Sequence, residues 1–177
     1  EKNVGQADAD FRYLARGKGY SMMLADARAV VALQDHGRSA AIEMAFVGAV
    51  RNPEITAEGE LEGKANYITG SDPSQWRTDI ATFERVRYRD LYPAIDLIYY
   101  GNQQELEFDL VVAPEALPNA IVIELRGADA IEIDNNGDLS IDAGGMKLVQ
   151  RRPVAYQNID GERRKVTAEY AMSEPEG

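Results

Sequence analysis

Apolar residues along this chain recur mostly at every second position, in short runs broken by glycine, proline and Asp-Gly or Asn-Gly pairs, which is the period of a half-buried strand rather than a helix. "ELEFDLVV" (105–112) puts Leu106, Phe108, Leu110 and Val112 on one face and Glu105, Glu107 and Asp109 on the other, as a sheet with one wet side requires. "FRYLARGKGYSMML" (11–24) gives two strands around Arg16-Gly17-Lys18-Gly19, because glycine supplies the positive φ of a tight turn. "AIEIDNNGDLSIDAGGMKLVQ" (130–150) is a meander of three short strands, turned at Asn135-Asn136-Gly137 and at Ala143-Gly144-Gly145. "VAYQNIDGERRKVTAEYAM" (154–172) is a hairpin closed by Asp160-Gly161. The pattern predicts an all-β, antiparallel, β-sandwich-like fold.

One stretch competes with this assignment. "LADARAVVALQ" (24–34) is alanine-rich and suits a helix by propensity, but Val30-Val31 and the strand-like runs on either side favour a strand over residues 29–33. "AIEMAFVGA" (41–49) and "AIVIELRGA" (120–128) echo each other, which suggests a first β unit over 1–65 and a second over 84–177, joined by a turn-rich connector at 66–83 that carries Trp76. One integrated domain is the alternative. No Gly/Ser-rich linker separates the halves.

Composition narrows the functional classes. The 177 residues suit one or two small domains, with enough surface to bury that no metal or disulfide is required for stability. A net charge of −11 repels phosphate backbones, so nucleic acid is not an expected partner. No run approaches the roughly 18 apolar residues of a helical membrane span, so no membrane insertion is expected. The absence of cysteine excludes thiol catalysis and thiolate metal sites. The chain opens at Glu1 without an initiator Met, so a signal peptide removed ahead of it would leave no trace in these residues.

Candidate chemistry is sparse. His36, the single histidine, lies in "QDHGRS" (34–39) and suits a surface loop better than a general base. "DNNGD" offers oxygen ligands at Asp134, Asn136 and Asp138, a weak calcium candidate that hairpin chemistry also explains. No phosphate loop, dinucleotide fingerprint or nucleophile elbow is present, and no cofactor is expected. Trp76, Arg77, Tyr99 and Tyr100 form the most suggestive set, since flat rings beside amides and acids are what sugar-binding sandwiches use. Tyrosine is also simply a good strand former. Paired carboxylates could serve glycoside hydrolysis if two faced each other across a cleft.

Several elements together resemble a known family. They are "NVGQ" (3–6), "RYLARGKGY" (12–20), "NYITGSDPSQWRT" (66–78), a long element over 86–116 that contains "LYPAIDLIYY", "GAD" (127–129), "GDLSI" (137–141) and "QRRPVAYQNIDGERRKV" (150–166). This set, covering nearly the whole chain, resembles an uncharacterised extracellular bacterial domain that precedes the β-propeller repeats called SBBP repeats in large secreted or surface proteins. Lys2 and Val4 vary the family's opening turn, and residues 26–62 match loosely. The resemblance implies export, downstream domains of the same chain as partners, and no catalytic residues. The expected role is therefore a non-enzymatic structural or interaction domain, with a glycan or a surface protein as the further partner and a carbohydrate-binding module as the alternative.

The turn elements have a physical reading beside the resemblance. Asp72-Pro73 starts a turn, and Trp76 is expected to fold back as a plug whose burial would supply roughly 2 to 4 kcal/mol against the ordering of the connector. Leu91-Tyr92-Pro93 is expected to end one strand before Ile95 starts the next, and Arg151-Arg152-Pro153 to mark an edge or bulge.

Overall fold

The computed structural model describes residues 1–102 and 105–173. Gln103 and Gln104 of the long 86–116 element, and residues 174–177 of the second expected unit, lie outside them. The chain forms two compact units, Glu1–Arg126 and Gly127–Gly177.

In the first unit, β1 (Tyr13–Gly17), β2 (Tyr20–Leu24), β3 (Arg28–Asp35) and β4 (Arg38–Val47) are successive hairpins. β9 (Val122–Arg126) adds beside β4, giving the order β1-β2-β3-β4-β9. A four-stranded antiparallel sheet follows in the order β5 (Glu54–Tyr67), β6 (Arg77–Tyr92), β7 (Ile95–Asn102) and β8 (Glu105–Val112). The period-2 pattern is obeyed where one face is covered. Along β3, Ala29, Val31 and Leu33 are buried while Arg28, Val30 and Ala32 are half-exposed, and β4 matches them with Ile42, Met44 and Phe46. Val86, Tyr88, Leu97 and Tyr99 form the inner face of the second sheet.

Tyrosine hydroxyls tie the two sheets together. Tyr88 donates to the carbonyl of Ala25 at 2.8 Å, in the turn between β2 and β3, and Tyr92 donates to Val122 at the start of β9 at 3.1 Å. Lys2 bridges β1 and β6, pairing with Tyr13 and donating its backbone N–H to the Ala81 carbonyl at 3.2 Å. The all-β, sandwich-like expectation holds, and the strand expected over 29–33 in place of a helix is present and runs from Arg28 to Asp35.

The expected division at 65 and 84 gives way to a different one. β5 and β6 pair across the supposed connector, with Ala65 opposite Ile80 and Tyr67 opposite Arg77, so 66–83 is the end of one long hairpin. The echoing stretches are neighbours in one sheet, with Phe46 opposite Ile123. Two strands facing the same core need similar patterns, and that accounts for the echo.

The second unit holds the meander β10 (Ala130–Ile133), β11 (Leu139–Ala143) and β12 (Met146–Gln150), with Leu139, Ile141, Ala143 and Met146 buried. A separate two-stranded hairpin, β13 (Ala155–Ile159) and β14 (Glu162–Val166), follows.

Candidate functional site

The four residues expected to bind a ligand are placed in three different environments. Asp72 caps the short 3-10 turn Pro73–Gln75, its Oδ1 accepting the Ser74 N–H at 2.9 Å, and the Trp76 N–H closes the turn on the Pro73 carbonyl at 3.2 Å. The Trp76 indole then donates to the Gly70 carbonyl at 3.3 Å. Trp76 is half-buried among the exposed residues 68–75, so it latches its own turn and does not plug a core. Arg77 donates to the Gln75 and Trp76 carbonyls and lies over Gly5, where an added Cβ would come within 3.4 Å of its Nε. Gly5, at φ +105°, lets the N-terminal loop pass beneath that guanidinium.

That loop is organised by Asn3. Its amide donates to the carbonyls of Ala7, Asp8 and Phe11, and its Oδ1 accepts from Gly5 and Ala7. Gln6 completes the knot by accepting from Val4 and donating to Lys2. Beside it lies an open depression of about 500 Å³ lined by Asn3, Gly5, Phe11, Arg12, Asp26 and Ile55 among others. Two of the charges that line it are engaged with each other, Arg12 with Asp26 at 3.1 Å. The same end carries a cluster in which Tyr67 donates to Glu1 and Arg16 stacks on the Tyr67 ring at 4.7 Å.

Tyr99 and Tyr100 point to opposite faces of β7, as successive strand residues must. Tyr99 is 3% exposed and packs between Tyr88 and Phe108, with ring centroids 5.9 and 5.8 Å away. A sugar cannot stack on it, so the binding role expected for Tyr99 is corrected to a core role. Burial pushes its phenol pKa up, and its hydroxyl has no hydrogen-bond partner among the described residues.

Tyr100 lies on the wet face, with its hydroxyl 3.1 Å from both Glu107 and Asp109. Burial and the Glu107 carboxylate raise its pKa. The two acids alternate on one strand with the phenol between them, so the arrangement is a hydrogen-bonded triad on a sheet face, not a pair flanking a cleft. Further along the face, Arg87 bonds Glu58 at 2.7 Å and Asp96 at 3.1 Å. The Arg87 hydrogen bond holds the Glu58 carboxyl below its usual range.

In the second unit, the weak calcium candidate is an internally bonded turn. Asp134 Oδ1 accepts the N–H groups of Asn136 and Asp138 at 2.7 and 3.0 Å. Asp138 is 7% exposed and accepts from the Arg152 N–H at 2.8 Å and from Arg151 Nη1 at 3.1 Å. Those two donors occupy both its oxygens, the Arg152 N–H being the main cause of its lowered pKa. Among the described residues, no group of three or more His, Cys, Asp or Glu is placed to hold a metal. His36 is exposed in the β3–β4 turn.

Sequence reasoning passed over Asn3, Arg87 and the basic run Arg163-Arg164-Lys165. Asn3 and Arg87 lie in elements that carry the family resemblance but nothing local marks their roles, whereas the basic run is visible as three consecutive cations in an acidic chain. No curated protein and no solved structure matches this chain. The family model that does match spans residues 1–176, and the chain belongs to that family, described as Domain of unknown function (DUF7948).

Proposed function

We propose that this domain is a non-enzymatic structural and interaction module of a larger exported bacterial protein, standing ahead of a β-propeller repeat array. One observation carries the reading: residues from the elements on which the family resemblance rests are engaged in holding the fold together. Asn3 ties the N-terminal loop, Asp72 caps its turn, Tyr92 joins two sheets, and Arg151 and Arg152 hold Asp138. Such residues organise a scaffold that presents surface, and on the outer face of the four-stranded sheet Arg87 is held between Glu58 and Asp96.

Trp76, half-exposed beside Arg77, is the observation that favours carbohydrate binding as the second reading. Trp76 emission and acrylamide quenching of the 177-residue chain, measured with a panel of soluble polysaccharides, separates the two. The expected result is a tryptophan of intermediate accessibility whose spectrum no glycan shifts, with no reducing ends released. A saturable shift with one glycan would make this a sugar-binding module, and released ends would make it an enzyme.

A further inference from the structure

The hairpin β13–β14 differs from every other strand pair in the molecule. Ala155 is its one half-buried residue and the other nine are exposed, among them Tyr156 at 44% and Ile159 and Val166 at 38%. Val154, just ahead of it, is 74% exposed. A two-stranded ribbon is marginal alone in water and gains by adding a third strand. Its turn is of the two-residue kind, with Asp160 at φ +53° and Gly161 at φ +81°, so Ile159 and Glu162 form the closing hydrogen-bonded pair. The alternation of an antiparallel ladder then aims the backbone N–H and C=O groups of Arg163 and Lys165 away from β13. Among the described residues, no backbone hydrogen bond joins those groups to another element.

The side chains select what such an edge accepts. Residues 150–166 contain five of the chain's Lys and Arg against two acids, in a protein of net charge −11. Arg163 and Lys165 share one face with Tyr156, over whose ring the Arg163 guanidinium sits at 3.7 Å. The other face carries Ala155, Ile159 and Val166 with Arg164 and Glu162. Cations on an exposed edge guard it against a second copy of itself, because two β14 edges would oppose like charges. The same cations complement an acidic strand, and the apolar side chains of the opposite face offer it contact.

We propose that the free edge of β14 is a docking site that takes up an extended polypeptide segment of alternating acidic and apolar residues as a third strand. Its acids would face Arg163 and Lys165, and its apolar side chains would lie on the opposite face beside Val166. The proposal rests on the interaction-module reading and gives that module a partner of stated chemistry. Free backbone donors and acceptors favour a polypeptide over a polyanionic glycan, which would use the cations alone.

The test is fluorescence anisotropy of a labelled short peptide of alternating Glu and Val, titrated with the 177-residue chain. Binding is expected, weakened by salt and abolished when the peptide's amides are N-methylated. Lys165→Gln, which removes only charge, should weaken it a few-fold. Lys165→Pro also removes an outward N–H that the β13 ladder does not use, and should weaken it by about tenfold more at unchanged circular dichroism. Absence of binding to the plain peptide would overturn the proposal. So would equal binding of the N-methylated peptide or of polygalacturonate, which would make the patch a reader of polyanions. Self-association that Lys165→Pro abolishes would overturn it in favour of a second copy. None of these outcomes touches the module reading, whose own failure shows in the Trp76 and reducing-end measurements.

Discussion

Two hairpins in this molecule turn in the same way and end in opposite environments. β3–β4 turns at His36 (φ +45°) and Gly37 (φ +82°), and β13–β14 turns at Asp160 (φ +53°) and Gly161 (φ +81°), both the paired left-handed conformations of a two-residue loop. In the first, Ala29, Val31, Leu33 and Ile42 are buried, with further strands on both sides. In the second, nearly every side chain is exposed and, among the described residues, no further strand pairs with it. Turn chemistry makes a hairpin, and a covered face makes it part of a core. The difference between the two is a matter of what lies across the sheet, which no local pattern encodes.

The comparison breaks most visibly at two isoleucines. Ile42 in β4 is fully buried and Ile159 in β13 is 38% exposed. Ile42→Ala removes packed methyl groups and leaves a cavity, and is expected to cost about 2 to 5 kcal/mol in urea unfolding. Ile159→Ala should cost less than about 0.5 kcal/mol. Similar losses at the two sites would mean that the hairpin face is covered after all.

Within the core, two adjacent tyrosines sharpen the contrast further. Tyr88 and Tyr99 stack edge to face, but the Tyr88 hydroxyl donates to the Ala25 carbonyl while the Tyr99 hydroxyl has no partner among the described residues. Tyr88→Phe strands a buried acceptor and should destabilise by about 1 to 3 kcal/mol. Tyr99→Phe removes a donor whose desolvation is uncompensated, so it should be neutral or stabilising. The measurement is the change in unfolding midpoint for each, and a loss of equal size at both would refute the bonding difference.

How much of this was legible in the sequence follows the range of the interactions. Short-range rules located the Arg16–Gly19 hairpin, the Asn-Gly and Asp-Gly turns and the covered side of 105–112 at Leu106, Phe108 and Leu110, though not at Val112, which is exposed, because turn φ values and period-2 burial are set by neighbouring residues. Pairings distant in sequence were not legible. β9 docks on β4 across some 75 intervening residues, so the likeness between residues 41–49 and 120–128 suggested a repeat when it marked adjacency. Tyr99 and Tyr100 looked equivalent as tyrosines, and only the register of β7 against β6 and β8 decides which ring is inside. Trp76 was expected to find a core beneath it, and its turn lies instead at the exposed end of the β5–β6 hairpin.

The smallest effect belongs to the charge that closes the meander ahead of the exposed hairpin. Asp138 is held below the ordinary aspartate value of 3.8, first by the Arg152 N–H and then by Arg151, against an opposing effect of burial. A carboxyl whose folded pKa is depressed contributes stability that is present above its unfolded value and is lost as pH falls through the folded one. Asp138→Asn keeps the shape and an oxygen for the Arg152 N–H but carries no charge to titrate. Arg151 is itself mostly exposed, so water and salt screen that pair. The variant should therefore melt slightly below the natural chain at neutral pH, and the gap should close as the pH drops beneath 3.8. Thermal unfolding of both chains across the acid range is the measurement, and a gap that stays constant with pH would show that the loop at Arg151 and Arg152 is held by shape rather than by the Asp138 charge.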